Sequence, residues 1–315
     1  MRATLPVAIA THRDCALHRP FPGHPERPER LGAANSGMDG FEVGLVPVTV
    51  EDDAVLRAIA TVHAGELPSR LRAACRSAPA VFDTDDNPIS EGTYPAALAA
   101  VAASLAAAGA AASGLATRVW VPVRPPGHHA LRNRAMGFCF FNNAAIAAED
   151  LLARGVGPVA IVDFDVHHGN GTQAHFWERN DVYFLSVHRY PFYPGSGAGD
   201  EVGAGPGRGF TRNYPLAAGA DDATYRDAVA AGLEDLLSTI QPAAWLVSAG
   251  FDAHRDDPLG GMNVTEACFG AIGEMLCQAA AKDPIVAVLE GGYDLKALSR
   301  SVRNFVATLG GGVSP

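Results

Sequence analysis

Residues 159–171 read VAIVDFDVHHGNG, an apolar, β-branched run that ends in Asp163, Asp165, His167 and His168. Such a run is expected to form a strand buried on both faces of a parallel sheet. Its carboxylates and imidazoles fall where that strand ends, at the edge where open α/β sheets bind ligands. Side chains alternate with period two, so Asp163, Asp165 and His167 point the same way if the extended form continues. Two carboxylates and an imidazole converging at a buried edge are costly unless a positive group joins them. A hydrogen-bonded Asp/His network is the ordinary alternative. A divalent metal with mixed oxygen and nitrogen ligands, zinc before others, accounts better for the cluster.

Working outward, the same pattern of apolar run and polar end recurs. VWVPV (119–123) leads into RPPGHHA, VYFLSV (182–187) into HRYPFYPG, WLVSA (245–249) into GFDAHRDDP, and IVAVL (285–289) into EGGYD. Helices are expected between them over 142–154, 222–240, 265–281 and 295–309, with Asp221 or Asp222 capping the second. Strands alternating with helices predict an α/β fold, a parallel sheet with helices on both faces. Further upstream, 5–10 and 41–50 are expected to be strands, and 52–63 and 67–76 helices. The alanine-rich run 95–112 predicts a long helix, because alanine is the best helix former. Residues 15–30, CALHRPFPGHPERPER, predict an irregular loop, as does the stretch around Pro88 and Gly92. The glycine-rich segment 194–209 lacks the spacing of a phosphate-binding loop and is expected to be irregular surface. No composition break divides the chain, so residues 1–315 are expected to form a single catalytic domain.

With 315 residues and 48% hydrophobic content the chain can bury a large core. A net charge of −10 and the lack of a basic stripe argue against nucleic-acid binding. The five cysteines form no CxxC pair, which predicts reduced thiols. The apolar run near the start is short for a signal peptide, and no stretch looks long enough for a membrane span. A soluble cytoplasmic protein, with a homo-oligomer open, is the expectation.

The polar ends also carry hydrolytic chemistry. His128 and His129 are adjacent and follow a constrained turn over 124–127. Asp252 follows another strand and joins Asp165 and His167 as a third ligand candidate, leaving an open zinc position for water. Asp163 then suits an outer role, orienting an imidazole. Tyr293 follows Gly291 and Gly292, whose permissive backbone can thrust a phenol into a cleft.

The motifs RPPGHHA, GFCFFNN, DFDVHHGNGT, HRYPFYPGSG, AGFDAHRDDPLGG and LEGGY resemble the zinc-dependent histone deacetylase family. The likeness is nearest to its class II branch and to bacterial acetoin-utilisation and acetylpolyamine relatives, and it runs from about Pro25 to Tyr293. It implies the arginase/deacetylase fold and hydrolysis of acyl-lysine or a similar small acylated amine. It implies zinc on Asp165, His167 and Asp252, and tandem catalytic histidines His128 and His129 partnered by Asp163 and Asn170. Tyr293 matches the tyrosine that stabilises the transition state. Gly137, Phe138 and Tyr193 match the substrate channel, the last at a position that is commonly phenylalanine. Arg27 resembles an internal-channel arginine. One of Asp83, Asp85 or Asp86 matches the substrate-gripping aspartate at the rim. A structural potassium is implied near Asp163, Asp165, His167, Ser186 and Val187. The position that is acidic in polyamine-selective relatives is Leu259 here, which favours acyl-lysine.

Two rivals remain. Asp252-Ala-His254-Arg-Asp256 superficially resembles the metal motif of a binuclear, arginase-like ureohydrolase, although the His pair and the GGY tyrosine do not belong to that class. An inactive deacetylase fold serving as a binding module is the other.

Overall fold

A computed structural model describes residues 7–311. Its centre is an eight-stranded, wholly parallel sheet: β1 (Ala8–Ile9), β2 (Gly44–Leu45), β5 (Arg118–Val121), β6 (Val159–Asp163), β7 (Val182–Arg189), β8 (Thr211–Leu216), β9 (Ala244–Ala249) and β10 (Ile285–Leu289), in the spatial order β2-β1-β5-β10-β9-β6-β7-β8. The central strands β6, β9 and β10 are buried along their whole length, as their unbroken apolar sequences require.

Alternation along these strands splits the core in two. On β6, Val159 and Ile161 join a cluster with α2 (Asp52–Val62), α3 (Glu66–Cys75), α4 (Thr93–Ala112) and α5 (Asn143–Ala153). Ala160 and Val162 face the other cluster, built with α7 (Asp222–Thr239), α8 (Glu266–Ala280) and α9 (Leu295–Leu309). The α4 helix is long and apolar enough to cross a membrane by length and composition, contrary to the expectation that no stretch would be. Its apolar window is nonetheless 72% buried inside this protein.

Several elements depart from the expectations. The strand expected over 41–50 shrinks to two residues, and the first strand is Ala8–Ile9; Leu5 and Pro6 lie outside the described residues. Inside the supposed loop 15–30 a helix begins, α1 (Glu29–Ser36), with Pro28 at its N-cap, where a missing N–H costs nothing. The stretch before Gly92 is an antiparallel hairpin, β3 (Ala80–Phe82) and β4 (Thr84–Ile89). A short helix, α6 (Asn170–Phe176), and the edge strand β8 complete the set. Segment 194–209 is irregular, apart from one 3-10 turn, as expected. Glu201 pins it by accepting from the N–H groups of Gly197 and Ala198 and from Gln173.

Candidate active site

The polar residues after β5, β6, β9 and β10 meet at one edge of the sheet. Asp165 and His167 follow β6 and Asp252 follows β9; one ligand atom from each lies within 4.8 Å of the others, all buried. His167 Nδ1 stands 3.0 Å from Asp165 Oδ1 and 3.1 Å from Asp252 Oδ2. Asp252 Oδ2 is buried without a hydrogen-bond partner, although Asp252 Oδ1 accepts from the Val166 N–H at 2.9 Å. An unsatisfied buried carboxylate oxygen aimed at a second carboxylate and an imidazole is the arrangement a cation would complete. The backbone around the cluster is shaped for it. A Cβ on Gly291 would lie 2.1 Å from Asp252 Oδ2 and 2.5 Å from Asp165 Oδ2, and one on Gly250 would lie 2.1 Å from Asp165 Oδ2. The donor set therefore fits a divalent metal of zinc's preferences.

Electrostatics agree. Burial, joined by the charge of Asp165, pushes Asp252 up to about 7. Burial alone would depress His167, but its bond to Asp165 and the nearby Asp252 carboxylate outweigh that and raise it to about 10. The two carboxylates thus hold a proton on His167 that a divalent cation would replace, because a ligating imidazole must be neutral.

The tandem imidazoles lie beside this cluster with ring centroids 3.9 Å apart. His128 Nδ1 is 2.9 Å from Asp163 Oδ2, and His128 Nε2 is 3.9 Å from Asp165 Oδ1. His129 Nδ1 is 2.7 Å from Asn170 Oδ1, an oxygen that can only accept, so Nδ1 carries the hydrogen and Nε2 is left as acceptor. Their basicities diverge. For His128, Asp163 and Asp165 overcome the penalty of burial and raise it to about 10. Burial, with the neighbouring His128 and His167, drives His129 well below the usual histidine range. A charged and a neutral imidazole side by side form an acid/base pair.

Tyr293 comes from the turn after β10, where the Gly291 N–H donates to Asp165 Oδ2 at 2.8 Å and the Tyr293 N–H donates to Asp257 Oδ2 at 2.6 Å. It is 6% exposed, and burial raises its phenol well above the usual tyrosine range, so it stays a hydrogen-bond donor. Behind its ring sits a guanidinium 4.8 Å from the centroid, and this corrects the sequence expectation. The residue is Arg30, fully buried, which donates to the carbonyls of Gly292 and Glu290 at 2.6 and 2.5 Å. Arg27 is exposed in a surface hollow with Arg19 and His24. Arg30 and Arg124 share the carboxylate of Glu26, itself buried and 3.3 Å from His18. Of this cluster only Arg124 belongs to a motif marked in the sequence, RPPGHHA, and nothing there signalled its buried pairing with Glu26.

Phe138 and Tyr193, the aromatic residues expected in the substrate channel, both lie against the site. Phe138 packs edge-on against Tyr293 and His24, with centroids 5.7 and 4.6 Å away. Tyr193 stands edge-on to His129 and His167 at 5.2 and 6.0 Å. Phe138 holds a left-handed backbone (φ 67°), unusual for a bulky residue and kept by its N–H bond to Asn87 Oδ1 at 2.6 Å. Gly137 precedes it because a Cβ there would lie 2.3 Å from the His129 ring. The three rim aspartates separate cleanly. Asp83 is tied to Arg70 and to the Ala135 N–H, and Asp85 is exposed. Asp86 bridges the two segments, its Oδ2 accepting from Tyr193 Oη at 2.8 Å and from the Gly137 N–H at 3.1 Å. Leu259 is half-buried in the loop after β9, its N–H held by Asp257 Oδ1 at 2.9 Å.

Ser186 on β7 pairs in register with Asp163, its hydroxyl 2.9 Å from His188 Nδ1. The Val187 carbonyl already accepts from Tyr225 Oη at 2.9 Å. The second half of an arginase-like metal pair does not assemble. His254 pairs with Glu266 at 3.1 Å and Asp256 with Arg300 at 3.2 Å, each away from the Asp252 cluster.

Comparison with known proteins agrees with this geometry. Residues 24–309 match the family described as histone deacetylase domain. The chain is 37% identical to an acetylpolyamine amidohydrolase of Burkholderia pseudomallei, over 95% of this chain and 97% of that one. It is also 37% identical to histone deacetylase 15 of Arabidopsis thaliana, over 98% of this chain but 57% of that one. The crystal structure of the HDA15 HD domain superposes with a TM-score of 0.87, at 33% identity and covering 97% of this chain and 88% of that one. A crystal structure of acetylpolyamine aminohydrolase from Burkholderia pseudomallei superposes with a TM-score of 0.84, at 32% identity over 97% and 99% of the two chains. A family match across nearly the whole length, with the fold to accompany it, places this chain in the histone deacetylase domain family.

Proposed function

We propose that this protein is a zinc-dependent deacetylase whose substrate is an acyl-lysine side chain or a small acylated amine of similar shape. Membership of the family makes it a hydrolase of acetylated amides. The observation that carries the finer reading is the buried Asp165–His167–Asp252 cluster beside the His128–Asp163 and His129–Asn170 pairs, with the buried phenol of Tyr293 nearby.

Asp165, His167 and Asp252 would hold the zinc. When bound, zinc supplies Lewis acidity toward the amide carbonyl and the attacking water. The acyl chain enters between Phe138 and Tyr193, with Asp86 at the rim. His129 Nε2, kept free by the Asn170 bond at Nδ1, accepts the proton of the attacking water. His128, oriented by Asp163, keeps positive charge beside the developing oxyanion. Tyr293 donates a hydrogen bond to that oxyanion. Collapse breaks the C–N bond, and His129 returns its proton to the leaving nitrogen, giving a carboxylate and a free amine. A potassium ion near Asp163, Asp165, His167, Ser186 and Val187 would temper the carboxylate charge. Five unpaired cysteines suit a reducing, cytoplasmic setting.

Acyl-lysine is favoured over acetylpolyamine by the neutral Leu259 and by Asp86, whose carboxylate is already engaged by Tyr193 and Gly137. The test is kcat/KM of the zinc-loaded protein on an acetyl-lysine peptide against acetylspermidine. A strong preference for acetylspermidine overturns the substrate assignment, and no turnover of either overturns the deacetylase reading.

A further inference from the structure

At the end of β10 lies a carboxylate that the reaction above does not use. Glu290 is fully buried, immediately before the Gly291–Gly292–Tyr293 turn. Its Oε2 accepts from the Gly127 N–H at 2.7 Å and from the His128 N–H at 3.2 Å. Its Oε1 is buried without a partner. The segment it holds needs such an acceptor. Pro125 and Pro126 have no N–H, so Gly127 and His128 carry the first amide hydrogens after the prolines, in a stretch buried throughout. Gly127 cannot shift to find another partner, since a Cβ there would lie 2.5 Å from the Asn143 nitrogen and 2.8 Å from the Phe141 oxygen. Glu290 is fixed in its turn: its N–H donates to the Ala249 carbonyl at 3.0 Å, and its own carbonyl accepts from Arg30.

We infer that Glu290 is a positioning residue, anchoring the backbone of the tandem-histidine turn to the turn that bears Tyr293. One side chain thereby sets the imidazoles and the phenol in a common frame. The inference rests on the deacetylase reading for its kinetic consequence, and on geometry alone for the anchor. What it requires is an acceptor at the right reach, with net charge secondary.

The test separates reach from charge in the full-length zinc-loaded protein. Glu290→Gln keeps the length and a carbonyl acceptor but loses the charge. Glu290→Asp keeps the charge and withdraws the oxygens by one methylene. On an acetyl-lysine peptide, E290Q is expected to keep kcat within about 5-fold of the parent. E290D is expected to lose about 10²-fold in kcat, as for a misplaced catalytic group, with KM within about 3-fold and one zinc per chain retained. In parallel, the backbone amide proton of His128, followed by NMR in histidine-labelled protein, should stay near its parent shift in E290Q and move upfield in E290D. Activity of E290D above E290Q, equal activity of both variants with the parent, or zinc loss tracking the loss of kcat each overturns the inference. If the parent itself turns over no acylated amine, the deacetylase reading fails, while the His128 amide shift still decides the anchor.

Discussion

Replacing Gly291 by alanine tests the metal cradle with a single methyl group. Gly291 does not have the positive φ of Gly292, so alanine adds no backbone strain there and the effect is purely one of space. The new Cβ would lie 2.1 Å from Asp252 Oδ2 and 2.5 Å from Asp165 Oδ2, where ordinary contact begins at 3.4 Å. The shortfalls are 3.4 − 2.1 = 1.3 Å and 3.4 − 2.5 = 0.9 Å. Metal–ligand distances tolerate only about 0.2 Å, so both carboxylates must leave coordinating positions. Losing a mere outer bond to a ligand costs about 10–100-fold in metal affinity, and moving two ligands is expected to cost at least about 100-fold. The assay is the thermal midpoint of metal-free protein against added zinc. At a zinc concentration 100 times its Kd, the parent gains about 2.7 kcal/mol. The variant, with affinity 100-fold weaker, gains about 0.4 kcal/mol at the same concentration. A zinc-dependent rise in G291A equal to the parent's would refute the assignment of Asp165 and Asp252 as ligands.

Other outcomes follow from the same geometry. Tyr293→Phe should lower kcat by about 10²–10³ with zinc still bound, the size of a lost oxyanion donor, and unchanged turnover would remove the phenol from the chemistry. Tyr193→Phe and Asp86→Ala should each raise KM several-fold and be non-additive, with a coupling of about 0.5–1.5 kcal/mol in a double-mutant cycle; full additivity would show that the bond between them does not shape the channel mouth. Glu26→Gln should destabilise the fold by about 3–5 kcal/mol in denaturant titration, because Arg30 and Arg124 lose their buried counter-charge. Burial works against the Glu26 carboxylate, but Arg124 and then His18 hold it well below its usual range. Its contribution is therefore complete above the ordinary glutamate range and lost as pH falls through the depressed value. In that acidic window the parent should lose stability more steeply than E26Q; parallel curves would contradict the sign.

The strands that carry the site were legible because their signal is strong. Buried parallel strands are continuous apolar runs, and five of the six strands from residue 118 onward are legible with their polar ends. What escaped detection lacks that signal. The edge strand β8 reads TRNYPL and is half exposed, and β4 reads TDDNPI, a sequence indistinguishable from a loop without its partner. Helix α6, NGTQAHF, is too short to show a period. Arginine placement failed for a geometric reason. Arg27 and Arg30 lie three apart, and only the start of α1 after Pro28 decides which enters the core. The rim aspartate was undecidable because Asp83, Asp85 and Asp86 sit in a hairpin with an irregular register. Glu290 lies inside the LEGGY motif, yet its burial was not legible, since a glutamate after a strand is ordinarily solvated.

The strand order has a consequence for how the protein matures. β10, late in the chain, is inserted between β5 and β9 rather than added at an edge. A nascent polypeptide that has emerged through residue 252 already owns all three candidate ligand side chains, yet lacks the Gly291 amide, Glu290 and Tyr293. Pairing β10 with both β5 and β9 is a long-range closure of the slow kind. On the proposed ligand assignment, ion capture is expected only once β10 is in place, so a ribosome-stalled chain ending before β10 should be metal-poor and protease-sensitive at its centre.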